Sequence, residues 1–409
     1  MLTVEDKNNF NEIFETLGET LDITETQYNA AVSSYNAVGD WLAKPESSLA
    51  LYNPIIRPQG SFMLGTMIKP ICEEDDLDID LVCELTGKNP QWTQYNLKQA
   101  VGDRIKANET YSKMLEKEGR RCWTLKYAES ANYHMDILPC IVSSGYKTLF
   151  ESVFASSTIE KDYNSLAIRI TDKKSPNYHK DTIVENWMKS NPFGYAKWFF
   201  NKAAPSYEQR RMFADSVSPV PKYQKEKRSL QRAVQILKRH RDIMFNGNDD
   251  KPISIIITTL ATLAYNKETS LIDTLFNLVN NMDKFIETRY DYKVGRNIRW
   301  VSNPVNSEEN FADKWAEHPQ REANFLKWIN QIRTDINVIA QQRERGIQNI
   351  SNAMQKPFGE TTINKVFSIL GERYHNLSQS GNMKMNMETG ILSSTGTIKV
   401  QSHNFHGNE

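Results

Sequence analysis

Two aspartates one residue apart are the chemically suggestive feature of this chain: Asp78 and Asp80 in Leu77-Asp78-Ile79-Asp80-Leu81. On a β-strand, residues i and i+2 project to the same side. The two carboxylates therefore share one face, and Leu77, Ile79 and Leu81 supply an apolar opposite face. Neighbouring carboxylates repel each other, which a fold tolerates when a divalent cation sits between them. Hard oxygen ligands suit Mg²⁺, which keeps several waters and takes one or two carboxylates plus substrate phosphates. A third carboxylate, Asp136, lies in a similar run, His134-Met135-Asp136-Ile137-Leu138. If the two strands are neighbours, Asp78, Asp80 and Asp136 converge into the donor set of two-metal phosphoryl transfer. One ion then activates an attacking hydroxyl and the other holds the triphosphate and the leaving pyrophosphate. Upstream, Gln59-Gly60-Ser61-Phe62-Met63-Leu64-Gly65-Thr66 offers the phosphate end. Gly60 lets backbone approach closely, and the Ser61 hydroxyl with N–H groups at a helix start can hold phosphate oxygens.

Each part also has a plainer reading. Asp78 and Asp80 fit the solvated face of an edge strand, Gly60-Ser61 fits a turn, and Asp136 alone fits a surface position. The ordered combination is more specific than any of its parts.

The elements that must position these groups can be read from periodicity. Phe10, Ile13, Phe14, Leu17 and Leu21, then Tyr28, Ala31, Val32, Tyr35, Val38 and Leu42, recur at helical spacing. Asn53-Pro54 marks a turn before an extended run at 55–57, and residues 76–85 alternate as a strand. A helical region follows over about 91–119. Residues 121–128 and 132–140 read as a β-hairpin with Glu129-Ser130-Ala131 at its turn. Residues 163–223 give mixed signals. Beyond Arg228 the pattern is helical: Leu230, Ala233, Val234 and Leu237; then Leu271, Leu275, Phe276, Leu278, Val279, Met282, Phe285 and Ile286; then Phe325, Trp328, Ile329, Ile332, Ile336 and Ile339. The expected boundaries are N-terminal helices packing on both lobes over 1–50, a catalytic core over 51–160, a connection over 161–225, a helical lobe over 226–380, and a mobile tail over 381–409.

Composition bounds the function. The chain has 409 residues, beyond the size at which one hydrophobic core usually divides. Lys and Arg number 50 and Asp and Glu number 50. That balance argues against a grip on long nucleic acid, which needs a basic excess. The charge-free run 252–266 is too short to span a bilayer, so no membrane partner is expected. The first ten residues lack the apolar core of a signal peptide. The four cysteines (Cys72, Cys83, Cys122 and Cys140) form no C-x-x-C pair, and read as reduced thiols of a cytoplasmic protein.

The pattern resembles the polymerase-β-type nucleotidyltransferase superfamily. More narrowly, it resembles the bacterial cGAS/DncV-like nucleotidyltransferases (CD-NTases) of anti-phage CBASS systems. Residues 59–66 and 78–83 are similar to that family's signature. So are Arg169-Ile170-Thr171-Asp172, Asn191-Pro192-Phe193-Gly194-Tyr195, residues 229–242 with 251–261, and Asn303-Pro304-Val305 with 309–315.

The resemblance implies an α+β fold: a polymerase-β-like core with a mixed sheet plus an α-helical, oligoadenylate-synthase-like C-terminal lobe, bilobed, with the active site in the cleft. It implies Asp78, Asp80 and Asp136 as catalytic metal ligands for two Mg²⁺ ions, with Mn²⁺ as a substitute. It implies Gln59, Gly60 and Ser61 at the nucleotide, and Lys238 and Ser254 gripping the donor triphosphate. The plainer readings are a solvated helix face for Lys238 and an N-cap or core hydroxyl for Ser254. Arg120, Arg121 and Tyr133 are further candidates for a base or phosphate contact. The implied substrates are NTPs, ATP and/or GTP, and the implied product is a cyclic di- or trinucleotide signal.

The tail Ser402-His403-Asn404-Phe405-His406-Gly407 resembles a peptide conjugated by ubiquitin-like machinery in some family members. That makes CBASS effector-system proteins acting on the tail candidate partners, although Asn408 and Glu409 follow Gly407. Two rival functions use the same residues: a template-independent nucleotidyltransferase acting on RNA or protein, and a catalytically silent nucleotide-binding scaffold.

Overall fold

Threonines open the first two helices. Thr3 caps α1 (Val4–Leu21) and Thr24 caps α2 (Glu25–Ala43), each in a reciprocal capping box, with Asp6 and Gln27 respectively. Such a box satisfies two backbone donors that the helix start leaves without partners. The apolar stripes read from the sequence are the buried ones: Phe10, Ile13, Phe14, Leu17 and Leu21 in α1, and Ala31, Val32, Tyr35, Val38 and Leu42 in α2. The computed structural model describes residues 2–72, 76–127, 133–155, 163–204, 222–292, 294–385, 387, 392–393 and 397–400. It divides into two compact units. The first holds 1–22, 232–301 and 310–409; the second holds 23–231 and 302–309. The class is α+β.

The second unit is built on a six-stranded mixed sheet. Strands β1 (Ile55–Pro58), β2 (Leu77–Thr86), β3 (Trp123–Tyr127), β4 (Tyr133–Val142), β5 (Ile168–Ile170) and β6 (Met188–Ser190) run in the order β1-β2-β4-β5-β6, with β3 also paired to β4. β1 is antiparallel to β2, and β2 is parallel to β4. β3 and β4 pair antiparallel, as a hairpin would, although the turn expected at 129–131 lies outside the described residues. Leu77, Ile79, Leu81, Cys83 and Leu85 of β2 join Tyr133, Met135, Ile137 and Ile141 of β4 in one buried cluster. That cluster also takes Tyr35, Val38 and Leu42 of α2, and Leu97, Val101 and Ile105 of α4 (Gln94–Lys106).

The helical stretch expected over 91–119 is two helices. Asn108 ends the first and caps α5 (Glu109–Met114) with its side-chain oxygen. The stretch 161–225 carries more than a connection: β5 and β6 extend the sheet, and α7 (Pro192–Ala203) is buried almost all round. Asn191 accepts from the Gly194 amide (2.9 Å) and donates to Tyr163 O (2.8 Å). The Asn-Pro-Phe-Gly block is therefore a helix cap with proline in the first turn.

Ser254–Ala264 of the first unit forms α9, and α8 (Ser229–Phe245), whose residues 232–245 belong to that unit, buries Leu230, Ala233, Val234 and Leu237 as expected. Its basic residues are also buried. Arg232 pairs with Asp22 at 2.7 Å, His240 with Asp335 at 2.9 Å, and Arg241 with Asp242 at 2.8 Å. The segment 226–380 is not purely helical. Residues Glu287–Asp291 and Arg296–Trp300 pair as an antiparallel ribbon, and Phe285, expected inside, is exposed because its helix ends at Asn281. No helix among the described residues is long and apolar enough to cross a membrane.

One contact fixes β3 against α4. Trp123 is 3% exposed and its indole N–H donates to Lys98 O at 2.8 Å. Its ring fills the space a Cβ on Gly102 would occupy. Gly102→Ala is therefore expected to destabilise the fold by about 2 kcal/mol through overpacking, read as a lower urea midpoint, whereas alanine for exposed Lys113 of α5 leaves it within about 0.5 kcal/mol.

Candidate active site

Strand register brings the predicted carboxylates together. Asp80 of β2 lies directly beside Asp136 of β4, and Asp136 beside Thr124 of β3. One step earlier, Asp78 lies beside His134 and His134 beside Lys126. The alternation follows the strand rule. Leu77, Ile79, Leu81, Met135 and Ile137 are buried, Asp80 and Asp136 are half-buried, and Asp78 is exposed. Asp76 is drawn aside, since its Oδ2 lies 3.0 Å from both Lys126 Nζ and His134 Nε2. Of the acidic run before the strand, 73–75 lie outside the described residues.

The signature segment is tied to Asp80 twice. The Gln59 amide donates to Asp80 O at 2.8 Å, and Gly60 follows at φ +58°. A Cβ on Gly60 would stand 2.5 Å from Asp80 Oδ2. Only glycine fits, on both conformational and steric grounds. Gly60 and Ser61 then start the short α3 (Gly60–Leu64), which ends at Gly65 with φ +66°. Buried Gln231 holds that end, donating to Leu64 O at 2.9 Å while its oxygen accepts from the Arg228 amide.

Electrostatics mark the same spot. The Cys122 thiol is pushed up to about 12 by burial first, then by the charges of Asp136 and Asp80. It therefore stays a neutral thiol near neutral pH. Among the described residues, no three His, Cys, Asp or Glu side chains already stand together as a metal cage. The donor chemistry nevertheless fits Mg²⁺: hard carboxylate oxygens, two of them on residues adjacent across parallel strands and the third two residues along the same face.

The remaining candidates fall elsewhere. Lys238 of α8 is 4% exposed, so it is not on a solvated helix face. Ser254 is the first residue of α9, whose N-cap is Ile253, and its hydroxyl accepts from Arg241 Nη1 at 2.9 Å. Both belong to the first unit, whereas Gln59, Gly60, Ser61 and the three aspartates belong to the second. Tyr133 is not a ligand contact: it occupies the core side of β4 and its hydroxyl donates to Ser34 at 2.7 Å. Arg120 forks onto Asp172 with two 2.6 Å bonds, and Arg121 adds a third at 2.9 Å. His403 and His406 lie outside the described residues. Sequence reasoning missed Gln231, whose partner is 167 residues away, and Thr124, although the hairpin read over 121–140 with its turn at 129–131 sets it opposite Asp136.

A family model described as "Cyclic GMP-AMP synthase DncV-like, nucleotidyltransferase domain" matches residues 54–139. The segment contains Gly60, Ser61, Asp78, Asp80, Thr124 and Asp136. The chain carries a DncV-like nucleotidyltransferase domain. The similarity runs beyond that domain. A protein named c-di-GMP synthase from Roseivirga ehrenbergii is 27% identical over 415 residues, covering 100% of both chains. Cyclic dinucleotide synthase CdnG of Bradyrhizobium diazoefficiens is 20% identical, covering 92% of this chain and 89% of that one. Among solved structures, CdnG in complex with GTP aligns with TM-score 0.63 at 17% identity, over 89% of this chain and 99% of that one. Vibrio cholerae DncV in complex with GTP and 5MTHFGLU2 aligns with TM-score 0.52 at 15% identity, over 89% and 93%. These two alignments show a shared fold.

Two outcomes test the geometry of the DncV-like domain. Gly60→Ala forces a left-handed residue to carry a side chain, a strain of about 1–2 kcal/mol, and presses on Asp80. It is expected to lower nucleotidyl transfer at least tenfold, about 1.4 kcal/mol in the barrier, while thermal unfolding stays cooperative. Asp172 is pushed up by burial, but Arg120, the Lys174 amide and Arg121 together hold it below its ordinary range. A depressed carboxylate stabilises the fold above its unfolded pKa of about 3.9 and loses that contribution as pH falls through its folded pKa. Asp172→Asn should cost about 2 kcal/mol at pH 7 in urea unfolding, with the gap to wild type closing below about pH 4; a gap unchanged at pH 3 would refute the linkage.

Proposed function

We propose that the chain is a Mg²⁺-dependent cyclic dinucleotide synthase. The end-to-end match to a protein named c-di-GMP synthase carries this reading, and it makes GTP the first substrate to try, with ATP second. In each of two steps a ribose hydroxyl loses its proton, its oxygen bonds to an α-phosphorus (first that of a second NTP, then that of the linear intermediate's own 5′-triphosphate), and the bond to pyrophosphate breaks. The linear product turns round in the site and the second step closes the ring.

Asp78, Asp80 and Asp136 are the residues that would hold Mg²⁺, two ions with Mn²⁺ as a substitute. When bound, the metal neutralises triphosphate charge and activates the attacking hydroxyl. Gly60 and Ser61, fixed over Asp80 by the Gln59 amide, offer backbone and hydroxyl groups to phosphate oxygens. Lys238 and Ser254 are assigned to the donor triphosphate by family resemblance. That resemblance also supports a role in cytoplasmic CBASS anti-phage signalling, with effector-system proteins as partners of the C-terminal tail. The rate comes mainly from positioning and charge, as in other phosphoryl transfers.

The test is mass spectrometry of the products formed by the purified full chain with Mg²⁺ and all four NTPs, after phosphatase treatment. A cyclic dinucleotide is expected, and Asp78→Ala and Asp80→Ala should abolish it. The reading fails if wild type gives no phosphatase-resistant product, or if Asp80→Ala gives the same one. Label transferred to added RNA or to protein would instead support an enzyme with a macromolecular acceptor.

A further inference from the structure

Asp136 has a partner on the strand beside it. Thr124 of β3 lies opposite Asp136 in register, and its hydroxyl donates to Asp136 Oδ1 at 2.5 Å. We infer that Thr124 is a positioning residue that presents the Asp136 carboxylate to the metal. The inference rests on the metal-dependent reading of the site.

Three observations carry it. First, Asp136 stands beside Asp80 across a parallel strand pair, where two carboxylates crowd one face. The Thr124 hydroxyl gives the Asp136 carboxylate a fixed donor in that crowded place. Second, the hydrogen bond at Oδ1 fixes the plane of the Asp136 carboxylate, whose oxygens keep lone pairs that would serve a cation. A carboxylate free to rotate would offer its oxygens in many orientations, whereas one pinned at Oδ1 offers a single one. Third, Thr124 is itself held. It is β-branched, which restricts χ1, and the next residue back, Trp123, is locked by the Lys98 carbonyl and by the space at Gly102. The chain from α4 through Trp123 and Thr124 to Asp136 is thus one rigid support. Hydrogen-bond partners of metal ligands typically change metal affinity by about 10–100-fold when removed.

The substitution Thr124→Val keeps shape and β-branching and removes the donor. Thr124→Ser keeps the donor. Mn²⁺ binding to the full chain with a non-hydrolysable GTP analogue, followed by the loss of the free-ion EPR signal, reads the effect without turnover. Thr124→Val is expected to weaken Mn²⁺ binding about tenfold, to raise the Mg²⁺ concentration for half-maximal activity by a similar factor, and to leave the GTP KM at saturating metal unchanged. Thr124→Ser should bind within about twofold of wild type. The inference is overturned if Thr124→Val binds Mn²⁺ like wild type, or if Val and Ser are impaired equally. Asp136→Asn separates the two levels. If it abolishes Mn²⁺ binding while Thr124→Val has no effect, the metal reading stands and only the role of Thr124 falls. If Asp136→Asn binds Mn²⁺ normally, both fall.

Discussion

The structure of the catalytic unit depends on keeping two carboxylates side by side. Asp80 and Asp136 occupy the same register position on neighbouring parallel strands, where their charges oppose the strand pairing that places them. The opposite face resists that opposition. Ile79, Leu81, Met135 and Ile137 are all 1% exposed or less, and burying each contributes about 1.5–3 kcal/mol. The flanking polar residues relieve the rest. Thr124 donates to Asp136, while Lys126 and His134 draw Asp76 away from the pair. The repulsion that remains is what the proposed Mg²⁺ would relieve.

Much of this was legible in the sequence because the informative elements are amphipathic. The stripes of α1, α2 and α8 and the alternation of β2 and β4 each bury one face only, which is what periodicity detects. The site carboxylates were legible for the same reason: they fall on the polar phase of an otherwise apolar alternation. What was not legible is physically different. β5 and β6 have three residues each, too few to show a period. α7 is buried almost all round, so it has no polar stripe to contrast with. In the ribbon formed by Glu287–Asp291 and Arg296–Trp300 a single residue, Ile298, is buried, too little to show a period. Gln231 gains its role from a partner 167 residues away in the chain, beyond any local window, whereas Thr124 and Asp136 lie in the one hairpin read from the sequence, and only the side-chain bond between them was missed.

The plainer reading of Lys238, a solvated helix face, fails for the whole basic set on α8. Arg232, His240 and Arg241 are all 6% exposed or less, and each has a carboxylate partner within the first unit. Buried charges persist only when paired, because an unpaired one costs several kcal/mol. Part of the zero net charge of the chain is thus internal bookkeeping, and does not describe the surface that a substrate meets.

Asp80 is used three ways: its carbonyl anchors Gln59, its carboxylate is one of the three proposed to hold Mg²⁺, and its Oδ2 occupies the room that any side chain at position 60 would need. The two positions are therefore coupled in space, so that what one carries limits what the other tolerates. A descendant that replaced Asp80 with a small residue would lose the steric reason for glycine at 60, leaving only the φ requirement, and drift there would become cheaper. Reading positions 60 and 80 together thus separates working enzymes from decayed copies more sharply than reading either one, and it needs only their sequences.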